Sequence, residues 1–358
     1  MEKQFLKGNE AVAEAAIRAG CRFFAGYPIT PQNEIPEYMS KRLPQVGGAF
    51  VQAESEVAAI NMVYGSASVG TLAMTSSSGI GISLKAEGIS NCAGAQLPAV
   101  IVNVSRGGPG LGAIQPAQAD YLQATKALGH GGFRALVFAP ANIQEAVDLT
   151  YYAFECAEKY HNPVLVLMDG CIGSMMEPVI LPEQKTPNRI KYAGWGSKYL
   201  NPASTDTMVV TSCLNEPEYE ENLNIRLKEM YEGWKKTEGK IEEYMIEDAE
   251  YVIASYGTSA RICKTAIQEL RRKGIKIGMI RPITLYPFCY SSFQKLDSKK
   301  VKCIFDVEMS IPAQMVDDVK IGVSNQIEIK EVGRSGGVIM TNEDVVDGIL
   351  KAINEEGK

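Results

Sequence analysis

Histidine is nearly absent: His130 and His161 are the only two in 358 residues. A metal centre built from several imidazoles of this chain is therefore not expected. The eight cysteines are scattered and form no C-x-x-C pair. That argues against a zinc or iron–sulfur site made by this chain alone and against a disulfide framework. They read mostly as small buried hydrophobes. No apolar run approaches the roughly 20 residues that span a bilayer. The N-terminal stretch MEKQFLKGNEAVAEAAIRAG has no apolar signal-peptide core. The expectation is a cytoplasmic protein with no membrane partner. Positive charge is not in excess either. A net charge of -6 speaks against a nucleic-acid partner, whose phosphates require a basic field. No Walker A sequence and no G-x-S-x-G elbow occurs. The segment Gly107–Gly112 is not G-x-G-x-x-G, and Pro109 would interrupt the helix start that a dinucleotide motif needs.

What is present is an α/β pattern. Apolar runs at Phe23–Gly26, Ala49–Gln52, Leu72–Thr75, Ala99–Asn103, Arg134–Phe138 and Val164–Met168 alternate with helical stretches such as Gly8–Ala19, Glu54–Gly70 and Asn142–Tyr160. Near-continuous apolar strands separated by helices imply a parallel sheet covered on both faces. Residues 1–182 form the first such unit and 247–358 the second, with strands at Tyr251–Ser255, Lys276–Ile280 and Val301–Phe305. Between them, 183–246 reads as a polar linker or arm with an exposed helix around Pro217–Tyr244. Gly257-Thr258-Ser259 opens a helix either as a tight cap or as an anion site.

Doubly wound sheets carry their sites in loops at the carboxyl ends of strands. Four such loops stand out: Tyr27–Pro31, Ala53–Glu56, Ser76–Gly81 and Val104–Gly112. Glu56 begins a helix. It is either a carboxylate favoured by the helix dipole or a buried proton-exchanging acid. Glu54, two residues away, would not share its direction. Thr30 lies between Pro28 and Pro31, which stiffen its loop; it is either a fixed ligand-binding hydroxyl or a helix N-cap with Pro31 at the first helical position. Arg106 at a strand end suits a carboxylate or phosphate, or a surface salt bridge.

At these loops the sequence resembles the alpha subunit of 2-oxoacid:ferredoxin oxidoreductases. The carrying residues are Gly26-Tyr27-Pro28-Ile29-Thr30-Pro31, Glu54-Ser55-Glu56 with Ala58-Ala59, and Arg106-Gly107-Gly108-Pro109-Gly110. Val307-Glu308-Met309-Ser310 and Gly333-Arg334-Ser335-Gly336-Gly337 extend the resemblance over nearly the whole chain. The run Gly110–Tyr121 looks most like the branched-chain (3-methyl-2-oxobutanoate) type. Three departures bear on local loops: Ser78 in place of proline, Gly132 in place of aspartate, and Ile311-Pro312-Ala313-Gln314 in place of a shorter turn.

The resemblance implies a pyrimidine-binding-type domain for thiamine diphosphate, followed by a transketolase-C-terminal-like domain. It implies that a beta subunit carries the diphosphate-binding domain and that the cofactor is shared between the two chains. The chain's lack of a G-D-G signature agrees with that division. It further implies that Mg2+ and [4Fe-4S] clusters reside in partners, among them gamma and ferredoxin-like subunits, and that coenzyme A, a 2-oxoacid and ferredoxin take part. Glu56 would bind the aminopyrimidine ring nitrogen and promote cofactor deprotonation. Pro28 and Ile29 would also contact the cofactor, and Thr30 and Arg106 would bind the substrate carboxylate. The readings left open are a 2-oxoglutarate or other 2-oxoacid type, and a non-catalytic scaffold subunit.

Overall fold

The computed structural model describes residues 3–186 and 210–356. The 187–209 part of the expected polar arm lies outside the described residues. The chain runs β1 (Gln4–Lys7), α1 (Gly8–Ala19), β2 (Phe23–Gly26), α2 (Glu34–Arg42), β3 (Ala49–Gln52), α3 (Glu56–Ser68), β4 (Ala73–Ser77) and α4 (Gly79–Gly94). It continues through β5 (Ala99–Gly107), β6 (Ala113–Pro116), α5 (Tyr121–Thr125), β7 (Leu136–Phe138), α6 (Ile143–Tyr160), β8 (Val164–Asp169), α7 (Gly170–Ser174) and β9 (Met176–Val179). The remainder is α8 (Pro217–Thr237), β10 (Ile241–Tyr244), β11 (Tyr251–Ala254), α9 (Gly257–Arg272), β12 (Ile277–Pro282), β13 (Thr284–Tyr286), α10 (Tyr290–Gln294), β14 (Cys303–Glu308), α11 (Val316–Gly322), β15 (Glu328–Gly333) and α12 (Asn342–Glu356).

The first sheet has the order β13-β7-β8-β5-β4-β2-β3, with β6 folded back on β5. All of its pairs are parallel except β13 on β7 and β6 on β5. Strand alternation sends Phe24, Met74, Val100, Val102 and Val166 into one apolar layer, with α1, α2 and α6. Ala25, Ala73, Ile101, Leu165 and Leu167 point the other way, onto α3 and α4. Burial on both faces is why these strands read as unbroken apolar runs. The second sheet, β10-β12-β11-β14-β15, is parallel apart from β10 at its edge. Among the described residues no helix is long and apolar enough to cross a membrane.

The stretch around Pro217–Tyr244 departs from the expected exposed helix. Helix α8 ends at Thr237, and 241–244 form edge strand β10. Leu223, Leu227, Tyr231 and Trp234 recur at intervals of four, four and three, so they form one stripe, and that stripe is buried in the first layer. The charged majority on the other faces hid it. Just past the helix, the buried Glu238 carboxylate accepts from the Tyr152 hydroxyl at 2.5 Å, from the Tyr160 hydroxyl, and from Lys159 Nζ at 3.2 Å. Burial would raise its pKa, but these donors hold it below the ordinary carboxylate range.

The two sheets are stitched together by buried polar contacts. Gln118 Nε2 donates to Tyr256 O at 2.8 Å, and its Oε1 accepts from the Met309 N–H at 2.8 Å. The Tyr121 hydroxyl donates to Asp318 at 2.6 Å. At the N-terminus of α9, the Thr258 hydroxyl donates to Asp169 Oδ1 at 2.9 Å. The anion at that helix end is thus the chain's own Asp169, which settles the expected choice between cap and ligand site in favour of an internal clasp. One apolar layer runs without a break from Ile60 and Ile89 to Val252, Ile280 and Phe293.

Candidate active site

Strands β3, β2, β4 and β5 lie side by side and parallel. Their carboxyl ends therefore bring the four singled-out loops to one edge, as a doubly wound sheet requires. After β2, Tyr27 and Pro28 are exposed while Ile29 and Thr30 are half-buried. Thr30 is not an N-cap: α2 begins at Glu34 with Asn33 before it, and Asn33 Nδ2 reaches the Thr30 hydroxyl at 3.5 Å. The Gln32 N–H instead closes a turn onto Ile29 O at 3.1 Å. The buried Gln32 side chain fixes this loop from below, donating to Tyr27 O at 3.2 Å and accepting from the Ser76 hydroxyl of β4.

Arg106 sits within the end of β5 and is only 8% exposed. It is not a surface salt bridge. Its guanidinium donates to Thr30 O at 3.0 Å and to Leu111 O at 3.0 Å, bracing the loop after β2 against the glycine-rich loop. No carboxylate lies within ion-pair distance of it among the described residues, so a planar cation with donors to spare faces the edge. Thr30 and Arg106 are therefore brought together.

Glu56 occupies a neighbouring position. The Ser55 hydroxyl caps α3 through Ala58 N at 3.2 Å, so the cap does not consume the Glu56 carboxylate. Glu54 is exposed and Glu56 is buried, which separates the two acids. Glu56 Oε1 lies against Gly81 of α4: a Cβ there would stand 2.7 Å from it and 2.0 Å from Ser77 Oγ. The Glu56 carboxylate accepts no hydrogen bond from any described residue. Such a carboxyl group is open to a partner that is not among the described residues.

A cleft of about 420 Å³ opens beside Arg106, lined by the α4 start at Gly79 and Ile80, by Asp120 and Leu122, and by the loop Met309–Gln314. Glu56 and Thr30 do not line it. Burial raises Asp120 above the usual carboxylate range, opposed by hydrogen bonds from Asn103 and the nearby Arg106 charge. Among the described residues no group of three or more His, Cys, Asp or Glu side chains is placed to hold a metal ion.

The floor of the cleft is held by a buried acid pair on β14. Glu308 Oε1 accepts from Gln314 N at 2.9 Å and Met315 N at 2.7 Å, which shapes the loop. Asp306 lies on the same strand face two residues away, against the Glu308 carboxyl, and neither of its oxygens accepts from any other donor among the described residues. Burial, followed by the Glu308 charge, pushes Asp306 well above the ordinary range. Burial pushes Glu308 up to about 7 against its backbone donors. Both groups ionise in the unfolded chain at lower pH. The folded protein therefore binds extra protons between about pH 4.5 and 7, and stability is lost as pH rises through that window. Glu308→Gln keeps an acceptor for the loop and carries no charge. Its melting temperature should exceed that of the parent by several degrees at pH 8 and match it at pH 5.

Residues 14–243 match the family model described as pyruvate flavodoxin/ferredoxin oxidoreductase, thiamine-diphosphate-binding. Residues 249–345 match pyruvate:ferredoxin oxidoreductase core domain II. The chain is 46% identical over 358 residues to the ketoisovalerate oxidoreductase subunit VorB of Methanothermobacter marburgensis, covering 99% of both chains. It is 35% identical to the 2-oxoglutarate synthase subunit KorA of Methanocaldococcus jannaschii, covering 98% of this chain and 100% of that one. Its fold superposes with a TM-score of 0.86 on 2-oxoglutarate:ferredoxin oxidoreductase from Magnetococcus marinus, at 24% identity, covering 98% of this chain and 65% of that chain. The chain belongs to the pyruvate flavodoxin/ferredoxin oxidoreductase family and is an alpha-type subunit of a 2-oxoacid:ferredoxin oxidoreductase.

Proposed function

We propose that this chain contributes the activating carboxylate, Glu56, to a thiamine-diphosphate site completed by a beta subunit, in a complex that oxidatively decarboxylates a branched-chain 2-oxoacid. Coenzyme A takes the acyl group, carbon dioxide leaves, and ferredoxin takes the electrons. The observation that carries this reading is the Glu56 carboxylate itself: 6% exposed at the carboxyl edge of the sheet, with no donor among the described residues. The residues present fit the cofactor's aminopyrimidine end. A carboxyl group with no partner among the described residues can share a proton with a ring nitrogen, and the exposed Pro28 with half-buried Ile29 offers an apolar surface beside it. When bound, the cofactor supplies the carbanion chemistry that decarboxylation needs.

The chain's own residues then have separate tasks. Glu56 holds a proton at the cofactor's ring nitrogen. Arg106, already fixed by two main-chain carbonyls, orients the substrate carboxylate, with the Thr30 hydroxyl beside it. A rigid cation is pre-organised for that contact. That carboxylate departs as carbon dioxide, so tight ground-state binding of it would be counterproductive. In this reading Mg2+, the diphosphate site and the [4Fe-4S] clusters belong to partner chains, including gamma and ferredoxin-like subunits.

The branched-chain preference rests on the 46% identity to a ketoisovalerate oxidoreductase subunit over 99% of the chain. It is tested by purifying this chain with its partners and following coenzyme-A-dependent ferredoxin reduction across 2-oxoacids. 3-Methyl-2-oxobutanoate should give the highest kcat/KM, at least about tenfold above 2-oxoglutarate, because the two differ by a buried charge. A preference for 2-oxoglutarate would move the chain to the other subtype. No turnover with any 2-oxoacid would favour a scaffold role.

A further inference from the structure

Helix α4 buries a lysine. Lys85 is 0% exposed, and its Nζ makes a single hydrogen bond among the described residues, to Ser76 O of β4 at 2.9 Å. An enclosed ammonium with one neutral partner is costly, because a buried charge needs a counter-charge or several acceptors. No carboxylate forms an ion pair with it among the described residues, but the packing of α3 on α4 brings Glu56 within electrostatic reach. Gly81 of α4 abuts Glu56 of α3, and Gly88 abuts Ile60. Residues 81, 85 and 88 share one stripe of a helix, and 56 and 60 share the facing one. Lys85 therefore lies between the two contact points, one turn from the glycine that touches the Glu56 carboxylate.

We propose that Lys85 is a positioning residue for Glu56: its enclosed ammonium, one turn from the Gly81 contact, holds the Glu56 carboxylate aimed out of the α3–α4 contact, toward the cofactor nitrogen. This inference rests on the reading of Glu56 as the activating acid. Two glycines make the arrangement possible. A side chain at position 81 would strike Ser77 Oγ and Glu56 Oε1, and one at 88 would strike Ile60. Burial pushes Lys85 down to about 7, and the Glu56 charge opposes that shift, which puts the carboxylate within electrostatic reach of the ammonium. The network reaches further. Ser76, which accepts from Lys85, donates through its hydroxyl to Gln32, and Gln32 donates to Tyr27 O. The lysine is thereby tied to the loop bearing Pro28, Ile29 and Thr30.

The charged and titratable groups around this helix are few. Helix α3 contributes Glu56 and, near Cys92, the Tyr64 hydroxyl, and β4 contributes only the neutral Ser76 carbonyl and Ser77 hydroxyl. At the first turn of α4, Asp120 faces Gly79, and Gln123 donates to Gly79 O. Two turns beyond Lys85, the buried Cys92 thiol is pushed up to about 12 by burial and stays neutral.

The test uses the assembled complex with Lys85→Met, Lys85→Arg and Glu56→Gln. Removing the cation should move the acid limb of the kcat/KM profile up by about one pH unit, and Lys85→Arg should leave that limb in place. A second readout is binding. Thiamine diphosphate should bind Lys85→Met at least about tenfold more weakly than the parent, since a charge-assisted bond is lost. The 1-deaza analogue, which lacks the ring nitrogen facing Glu56, should bind both equally. If Lys85→Met fails to assemble, Lys85→Gln carries the same comparison. A parental acid limb and parental binding ratio in the neutral variant, with Glu56→Gln inactive, would overturn the role of Lys85 alone. Full turnover in Glu56→Gln would instead remove the reading of Glu56 on which it rests.

Discussion

Glu56→Gln lowers turnover of the assembled complex by about 10²–10⁴-fold, the range lost with a proton-transferring side chain. The substitution is nearly isosteric. It keeps the packing against Gly81 and leaves the Ser55 cap on α3 intact. Loss of the negative charge at the helix N-terminus costs about 0.3–1 kcal/mol, too little to unfold a domain. Assembly, measured by co-purification with the beta partner, should be unchanged. A Glu56→Gln complex that turns over at the parental rate would falsify the assignment.

The second large effect is structural. Trp234→Ala should destabilise the protein by about 3–5 kcal/mol, the usual cost of emptying a buried tryptophan site. Trp234 is fully buried, with its ring 5.4 Å from Tyr160 and 4.8 Å from Tyr231. It anchors α8 to α6, and the Glu238 clasp on Tyr152, Tyr160 and Lys159 follows four residues later. The denaturant midpoint should fall accordingly. Tyr219→Ala, on the same helix at 64% exposure, should shift stability by no more than about 0.5 kcal/mol. Equal effects from the two substitutions would mean that α8 is not docked through this stripe.

The strands and their loop edge were legible because parallel strands buried on both faces leave uninterrupted apolar runs. Phe23–Gly26 and Ala49–Gln52 coincide with β2 and β3. The ends of β4 and β5 ran two and four residues further than the apolar runs suggested, to Ser77 and Gly107. Backbone pairing there continues through polar residues that serve the site. The stripe of α8 was missed because four apolar residues were diluted among acids and lysines. Lys85 carried no signal of its own. A lysine in a helix reads as solvated, and only the glycines at 81 and 88 on its own face hint that another helix presses there. Gln32, Asp306 and Glu308 were hidden for a related reason: a buried polar group declares itself through its partners, and those come from other elements. The two carboxylates, alternating with apolar residues in C-I-F-D-V-E, are the nearest to a readable signal, since both fall on one face of a buried strand.

Strand β13 has a consequence for how the protein is made. Thr284–Tyr286 closes the β7 edge of the first sheet, although about 145 residues of chain separate it from Phe138, its partner in the register. On the ribosome, β7 emerges long before the strand that covers it. Until then a row of unpaired backbone groups is open to other nascent chains. The N-terminal sheet is thus finished only after most of the second sheet has been translated, which makes the interval between those two events the period of greatest aggregation risk.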